Sequence, residues 1–490
     1  MQITRRRLLQ SMAPSTALLS SARKALAADT IDGYRPELLP SRRAVWDWQL
    51  WMAKLGPKYT GNKAHGAFVE FLNTELKKIG LEVSRESYAF TRWDAKRYEL
   101  RVIDAVGRPQ PVPVSSYYPY SGQTGPEGVT GELVYGGTTF SPQVPNNLTG
   151  KILYIDVPIL PMPFRGRYRL IGVYDKNIDF PSSRSAPYAS SAESPPFLQG
   201  FKQAGAAGVV FRRTDISDEN AANQYYPFSR PLQELPAIWV GRDGGAELRS
   251  LAESRAKATL VLEADLFPGT RTDTLIATLP GSSSSDELLI INTHTDGTNA
   301  TEENGGIGLL ALASYFAQLP KSSRKRTLVF FLTTGHFAHP YVGTNGFLEK
   351  HPEIIHKAVG ALSVEHLGCR EWKDDASMKY RATGKDELSL VLTNVNRTAD
   401  VTLASVKGTS DRRVAVAVVQ ANEYFTGEGR FPARAGIPTI GYIPLPDYLL
   451  AAPPDGCIRK LSPSLMYGQI QALAKVIHAM DGLPAAALKS

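Results

Sequence analysis

The stretch LLIINTHTDG, residues 288–297, decides the fold class of this chain. It contains a continuous apolar run, typical of a strand that is buried on both faces of a parallel sheet. Two similar strands follow at 327–334 (TLVFFLTT) and 361–367 (ALSVEHL), and the sequence predicts helices at 305–319 and 343–351 between them. This alternation of strands and helices predicts an α/β fold with a doubly wound, mainly parallel sheet.

The polar residues directly after these strands are the first candidates for a functional site, because ligands bind such sheets beyond the carboxyl ends of the strands. After the first strand, His294 can bind a metal while Asp296 orients it. Glu303 belongs to the acidic pair that opens the next helix, and its carboxylate can bind the same metal. The alternatives are an ordinary polar loop and carboxylates placed only by the helix dipole.

The other two strands supply further candidate ligands. His336 and His339 follow the second strand in a loop with glycine and proline, where they either converge on a metal or lie exposed. Glu365 and His366 form a charged pair in an otherwise apolar third strand. Because a buried unpaired carboxylate is costly, metal coordination gives Glu365 a reason to be there.

The order of these motifs resembles that of the co-catalytic dizinc aminopeptidase family, which includes bacterial leucyl aminopeptidases, glutamate carboxypeptidase II and glutaminyl cyclase. Segments outside the core extend the resemblance, namely LGPKYTG at 55–61, TDTLIATLPG at 272–281 and AGIPT at 435–439. Two more segments resemble the protease-associated domain that is inserted in many members, namely LTGKI at 148–152 and AGAAGVV at 204–210. The resemblance covers residues 40–485.

The resemblance implies two domains in the exported chain. Residues 28–115 and 266–490 form a mixed-sheet α/β domain of the zinc-exopeptidase type, and residues 116–265 form an inserted, β-rich protease-associated domain. The composition of the middle segment agrees, because glycine, proline and serine separate short alternating strands there.

The resemblance also assigns roles to the candidate residues. His294 stands at the position of the family's first zinc histidine, and Asp296 stands at its orienting aspartate. Glu303 stands at the bridging aspartate with a side chain one methylene longer, and Glu365 stands at a later carboxylate ligand.

Two features depart from the family pattern. His336 and Phe337 stand where the family has two glutamates, of which the first is the general base and the second a zinc ligand. Residues 437–477 contain no histidine, although the family's last ligand is a histidine in this region. We therefore expect one zinc ion instead of two. Its expected ligands are His294, Glu303, Glu365 and His339, or His336 in place of His339.

These residues lead to three hypotheses about function. The first is an exported hydrolase that uses one zinc ion to attack an amide or related carbonyl of a small-molecule or peptide substrate, with His336 as the base and Asp296 in the catalytic set. The second is a non-catalytic relative that binds a peptide or partner in the old cleft. The third is catalysis without metal by a histidine–carboxylate pair, drawn from His336, His366, Glu303 and Glu365.

Residues 1–27 have the pattern of an export signal. A basic start is followed by a weakly apolar run and by Ala25-Leu26-Ala27 as a cleavage site. The segment TRRRLLQ at 4–10 resembles the twin-arginine motif, and the alternative is an ordinary Sec signal. We therefore expect a periplasmic or secreted protein.

Net charge, apolar stretches and cysteines exclude some kinds of partner and leave the state of the thiols open. The formal net charge is +8, but five of the basic residues lie in the signal, so we expect no nucleic-acid partner. No later stretch reaches 18 apolar residues without a charge, so we expect no membrane segment after signal removal. The two cysteines, Cys369 and Cys457, either pair in an oxidising compartment or stay free and buried.

Overall fold

The computed structural model describes residues 31–103, 107–174, 178, 180–188, 198–228, 230–339 and 343–490. The predicted export signal at 1–27 lies outside these residues. Within them, no helix combines the length and the apolar character that a membrane crossing requires.

Most strands of the described residues belong to one large sheet. In chain order the strands are β1 (Glu82–Ile103), β2 (Pro109–Val112), β3 (Val114–Tyr117), β4 (Val129–Thr138), β5 (Ser141–Pro142), β6 (Ile152–Val157), β7 (Met162–Pro163), β8 (Tyr168–Val173), β9 (Ser183–Arg184), β10 (Gly208–Arg213), β11 (Ala237–Val240), β12 (Lys257–Leu279), β13 (Leu288–His294), β14 (Thr327–Thr333), β15 (Ala358–Val364), β16 (Arg370–Asp374), β17 (Tyr380–Asp386), β18 (Ser389–Thr393), β19 (Val414–Val419) and β20 (Thr439–Tyr442).

Helices lie between these strands and at both ends of the described chain. The α-helices are α1 (Arg42–Lys54), α2 (Lys63–Lys78), α3 (Gln199–Gln203), α4 (Asp218–Ala221), α5 (Leu248–Glu253), α6 (Gly305–Gln318), α7 (Thr344–Lys350), α8 (Pro352–Lys357), α9 (Asn396–Ser405), α10 (Arg430–Arg434), α11 (Pro463–Gly482) and α12 (Ala485–Leu488). Short 3₁₀ helices lie at Pro36–Leu38, Lys321–Ser323, Asn422–Tyr424 and Ile458–Lys460.

The centre of the large sheet confirms the predicted α/β fold. β13 pairs in parallel with β14 on one side and with β15 on the other, and β15 pairs in parallel with β20. Antiparallel neighbours flank this centre, since β12 runs against β14 and β18 runs against β20. The sheet is therefore mixed, with a parallel core of the doubly wound kind.

Parallel pairing brings the ends of these strands to one edge of the sheet. His294 is the last residue of β13 and lies opposite Thr333 at the end of β14. β15 ends at Val364, so Glu365 and His366 leave the sheet at the same edge. The charged pair that the sequence predicted within the third strand therefore lies just beyond its end.

Helix α6 covers the sheet beside this edge. Its sequence is apolar all round and almost entirely buried, as expected for a helix enclosed by the sheet, α2 and α11. A Cβ atom at Gly305 would overlap Thr293 Oγ1 and the carbonyl oxygen of Val364. Because only glycine lets the helix begin so close to the strand ends, Glu302 and Glu303, which precede it, are brought to the edge.

A second group of strands lies within the segment predicted to be an inserted domain. β6 pairs in parallel with β4 and β10, β10 pairs in parallel with β11, and β3 runs antiparallel beside β11. The long strand β12 joins this group to the central sheet, because it pairs with both β4 and β14. β8 lies in the same segment but pairs with β19 of the central sheet. The assignment of 116–265 to a protease-associated domain stays a prediction.

One apolar cluster packs these two groups of strands against each other. Its members include Phe211, Trp239, Phe337, Leu392 and Ile443. Because Phe337 directly follows His336, the cluster reaches the edge at which the candidate residues meet.

The two cysteines are both buried and free. The sequence allowed either a disulfide or two free, buried thiols, and the structure shows the free thiols. Burial raises the pKa of Cys369 well above its usual value and that of Cys457 to about 12, so neither thiol is poised as a nucleophile near neutral pH.

Candidate metal centre

His294 provides one nitrogen at the centre of the site and is fully buried. Its Nδ1–H donates to the backbone carbonyl of Asp296 at 2.7 Å, which leaves the lone pair on Nε2. That Nε2 lies 3.7 Å from Oε2 of Glu365 and 3.9 Å from Oε1 of Glu302. The backbone of Asp296, and not its carboxylate, therefore fixes the orientation of this histidine.

His366 provides a second nitrogen. Its Nδ1–H donates to the carbonyl of Pro444 at 2.7 Å, and its Nε2 lies 3.1 Å from Oε2 of Glu302. His366 has a φ of 58°, a left-handed conformation that is strained for a residue with a side chain. One donor atom from each of His294, Glu302 and His366 lies within 4.8 Å of the other two. We call these three residues the metal cluster.

Glu365 lies beside the metal cluster. Its Oε1 accepts the N–H of Glu428 at 2.8 Å, which holds Oε2 at 3.7 Å from Nε2 of His294 and 3.9 Å from Nε2 of His366. Burial disfavours its ionised form, but the nearby rings of His294 and His366 outweigh burial and lower the pKa of Glu365. The carboxylate is therefore ionised and available to a cation.

The electrostatics of the cluster favour a positive charge at its centre. Burial opposes protonation of His294, but the nearby carboxylates of Glu365 and Glu302 raise its pKa well above the usual value. The pKa of His366 is raised in the same way, because Glu302 outweighs burial. A proton on these rings or a metal ion between them would satisfy this negative potential.

The donor set fits zinc. Two imidazole nitrogens and two carboxylates are ligands that zinc accepts, and borderline-soft divalent ions prefer such mixed nitrogen and oxygen sites. Nε2 of His294, Nε2 of His366 and Oε2 of Glu302 are buried without a hydrogen-bond partner among the described residues. A shared cation would give all three atoms a partner at once.

Glu303, the expected ligand, lies outside the cluster. Its Oε1 lies 2.6 Å from Nζ of Lys58, and both side chains are buried. The same Nζ donates to the carbonyls of Gly56 at 2.7 Å and Met52 at 3.1 Å. The buried ammonium group of Lys58 pairs with the carboxylate of Glu303. The neighbouring Glu302 faces the histidines instead.

His336 lies next to the cluster, and its ring is stacked between two others. The His294 ring lies 4.1 Å away with an interplanar angle of 11°, and the Phe228 ring lies 5.2 Å away at 25°. Nδ1 of His336 lies 3.1 Å from Oε1 of Glu428, and Nε2 lies 3.8 Å from Oε1 of Glu302. His336 therefore presents one nitrogen to a carboxylate and the other to the metal cluster.

Two other expectations, for His339 and Asp296, differ from the structure. His339 is exposed and outside the cluster, because the loop reaches the surface after the buried Ala338. Oδ2 of Asp296 accepts the Thr60 hydroxyl and the N–H groups of Gly335 at 3.1 Å and Phe337 at 3.0 Å. Asp296 thus anchors the backbone on either side of His336. Despite burial, the histidines around Asp296 lower its pKa.

Phe337 occupies an apolar position and not a ligand position. Its ring lies 5.3 Å from that of Phe228 and 5.6 Å from that of Tyr225, and it is buried. Within the described residues, the metal cluster is the single group of three or more potential ligands.

A cavity of about 520 Å³ opens onto the cluster. Glu302, His336, Glu365 and His366 form part of its wall. Its volume is within the range of small-molecule binding sites. A substrate in this cavity would therefore meet the metal cluster and His336 together.

Several residues of the site were missed from the sequence. Glu302 was noted only as the neighbour of Glu303, and His366 was assigned only to the metal-free hypothesis. Glu428 and Lys58 were not considered at all. The motif Gly427-Glu428-Gly429, a carboxylate between glycines shortly before the AGIPT segment, was the one signal in the sequence that pointed to Glu428.

Three solved structures share the fold over almost the whole chain. A peptidase M28 precursor from Shewanella amazonensis SB2B has a TM-score of 0.66 at 17% identity and covers 96% of both chains. The aminopeptidase from Aneurinibacillus sp. strain AM-1 has a TM-score of 0.58 at 15% identity, covering 90% of this chain and 93% of that one. A zinc aminopeptidase from Bacillus subtilis, BSAP, has a TM-score of 0.59 at 13% identity, covering 91% and 98%.

Sequence comparisons give no further assignment. No protein-family model matches the chain, and no curated protein matches it in sequence. At identities of 13–17%, the structural likeness concerns the fold. The chain therefore has the α/β scaffold of the M28 aminopeptidases.

Proposed function

We propose that this protein is a hydrolase that uses one zinc ion to cleave an amide or related carbonyl compound. The convergence of His294, Glu302 and His366 within 4.8 Å, beside a cavity that Glu302 and His366 line, is the observation that carries the proposal. These three residues and Glu365 would hold the ion. The fold that the chain shares with zinc aminopeptidases supports the choice of metal and of reaction.

The chemistry divides between the ion and the protein. Zinc, when bound, supplies a Lewis acid that polarises a carbonyl and makes water a better nucleophile near neutral pH. His336 supplies proton transfer. Because Glu428 accepts the hydrogen on Nδ1, the lone pair of the ring is on Nε2, which lies 3.8 Å from Oε1 of Glu302. Nε2 takes the proton of the attacking water and returns it to the leaving nitrogen.

Three residues act on His336 without contacting the substrate. Glu428 keeps its tautomer and stabilises the imidazolium that forms after proton transfer, as a carboxylate does in other histidine pairs. Asp296 anchors the loop by accepting two backbone N–H groups. Phe337 packs against Phe228 behind the loop and keeps water from that side.

The alternative function is a binding protein without turnover. Phe337 favours it, because an apolar ring replaces a ligand of the related dizinc enzymes and excludes a second ion there. The pairing of His336 with Glu428 favours the hydrolase, because a protein that only binds has no need for an oriented proton acceptor beside a ligand cluster. The sequence of residues 1–27 supports placing either protein in the periplasm or outside the cell.

Hydrolysis assays on zinc-loaded and chelator-stripped protein test the proposal. A panel of dipeptide amides and aminoacyl-nitroanilides is incubated with both forms, and products are followed by mass spectrometry. We expect cleavage of at least one dipeptide amide by the loaded form only, with weak turnover of nitroanilides. His336→Gln should lose about 10²–10⁴-fold in kcat, the usual effect of removing a general base, whereas the exposed His356→Gln should not. Zinc binding without any cleavage would favour the binding protein.

A further inference from the structure

The ring of Phe228 covers one face of the proposed base. Phe228 is half-buried in the cavity wall, and its ring is stacked on that of His336 at 5.2 Å with an interplanar angle of 25°. The ring of His294 is stacked on His336 at 4.1 Å. Phe228 also lies 5.3 Å from the ring of the buried Phe337, the residue after His336. The imidazole of His336 is therefore enclosed between a proposed zinc ligand and a phenyl ring.

The segment that carries Phe228 is fixed by hydrogen bonds on both sides. The N–H of Tyr225 donates to the carbonyl of Leu450 at 2.8 Å, and Leu450 lines the same cavity. The indole N–H of Trp239 donates to the carbonyl of Tyr226 at 2.8 Å. Because the chain is held directly before Phe228, the position of its ring is set by the fold and not by a substrate.

The hydrogen bond to Glu428 fixes only one atom of the His336 ring. The last torsion of a histidine side chain has a broad energy profile, so a ring held at one atom can still tilt. His294 covers one face with a ring that is itself held by the carbonyl of Asp296 at 2.7 Å. Phe228 covers the other face. Proton transfer requires Nε2 to be aligned with the reacting group, so the plane of the ring matters as well as its place.

We propose that Phe228 is a positioning residue that holds the imidazole of His336 in the plane required for proton transfer. Two stacked rings have a preferred mutual geometry, whereas an aliphatic side chain of similar size does not restrict the tilt of its neighbour. The proposal rests on the proposed function, because it takes His336 as the base. It also gives the segment 116–265 a part in catalysis, since Phe228 belongs to this segment and His336 to the central sheet domain.

Steady-state kinetics of the zinc-loaded, full-length protein on its best dipeptide amide give the first test. Phe228→Leu keeps an apolar side chain and removes the ring, so kcat should fall by about 10- to 100-fold with little change in KM. Phe228→Tyr keeps the ring and should retain most of kcat. A residue that only lined the cavity would change KM instead. Phe140→Leu, at a phenylalanine of the same segment that is 54% exposed, is the control and should behave as the wild type.

Nuclear magnetic resonance of ¹⁵N-histidine-labelled protein gives a second test that requires no activity. The chain has eight histidines, and the signals of His336 are identified by their absence from His336→Gln. In the wild type the nitrogen shifts of His336 should show the hydrogen on Nδ1, where Glu428 accepts it. In Phe228→Leu at the same pH they should move toward the average of the two tautomers, because a tilted ring loses part of this hydrogen bond. Phe228→Tyr should give the wild-type shifts.

Two results would overturn the inference. One is a set of His336 nitrogen signals that is the same in the wild type and in Phe228→Leu. The other is an unchanged kcat in Phe228→Leu of a protein that hydrolyses the amide, which would retain the proposed function. No hydrolysis by the wild type would reject the proposed function, and the nitrogen signals would then decide the role of Phe228 alone. Circular dichroism checks folding, and Phe228→Met replaces Phe228→Leu if the latter is unfolded.

Discussion

Nδ1 of His336 lies 3.1 Å from Oε1 of Glu428, and the His336 ring is stacked 4.1 Å from that of His294. Glu428 also holds Glu365, because its N–H donates to Oε1 of that residue at 2.8 Å. One residue thus touches both the proposed base and a proposed ligand. It stands far along the chain from both of them, in the segment that leads to α10.

Replacing Glu428 by glutamine should lower kcat by about 10- to 100-fold, the usual effect of changing the partner of a functional histidine. Glutamine keeps the shape and can still accept the Nδ1 hydrogen, but it no longer stabilises the imidazolium. Zinc content and KM should change little, because the Glu428 N–H to Glu365 is unaltered. Steady-state kinetics and metal analysis check both points. Glu253→Gln, on the exposed face of α5, is the control, and an unchanged kcat in Glu428→Gln would refute the role of the pair.

Replacing Lys58 by methionine should destabilise the fold by about 3–5 kcal/mol, because it leaves Glu303 as an uncompensated buried charge. The double variant Lys58→Met, Glu303→Leu should recover most of that loss. Urea unfolding with a chelator present measures the free energy of unfolding without a contribution from zinc. Lys54→Met, an exposed lysine at the end of α1, should change stability by less than about 0.5 kcal/mol. If Lys58→Met and Lys54→Met changed the free energy of unfolding by similar amounts, the Lys58–Glu303 pair would not stabilise the fold.

His478 should make stability depend on pH between about 6.5 and 4. Its ring is buried in α11, Tyr315 lies 2.7 Å from Nε2, and burial lowers its pKa to about 4. The unfolded chain binds the proton near pH 6.5, so unfolding takes up a proton in this window and the free energy of unfolding falls as pH is lowered. The two pKa values correspond to a loss of about 3 kcal/mol.

Urea unfolding at pH 7 and pH 4.5 measures this loss. In His478→Gln the difference between the two pH values should be smaller by most of that amount, whereas His356→Gln, an exposed histidine, should behave as the wild type. The same difference in all three proteins would mean that His478 is not the group responsible.

The fold followed from the sequence where long apolar runs carried the information. The predicted strands at 288–292 and 327–334 and the predicted helix at 305–319 match β13, β14 and α6 within two residues at every end. β15 is displaced toward the N-terminus, because Glu365 and His366 are drawn out of the sheet by contacts to other segments. The pattern of apolar residues along the strand cannot predict those contacts, because they involve distant parts of the chain.

The site was predicted in part. The edge of the sheet and the presence of His294, Glu365 and His336 near one point followed from the rule that ligands bind at strand ends. The choice between Glu302 and Glu303 did not, because adjacent residues before a helix face different directions and a distant residue, Lys58, decides which one turns inward. Glu428 was out of reach for the same reason: its partners are separated from it by 63 and 92 positions.

Zinc stoichiometry of the purified protein and two single variants tests the central claim most directly. Elemental analysis after dialysis against metal-free buffer should find one zinc per chain in the wild type and in Glu303→Gln, and much less than one in Glu302→Gln. The reason is that Glu302 lies in the metal cluster, whereas Glu303 is paired with Lys58. Circular dichroism confirms that each variant is folded. Zinc lost from Glu303→Gln but kept in Glu302→Gln, or no zinc in the wild type, would contradict a metal centre built on His294, Glu302 and His366.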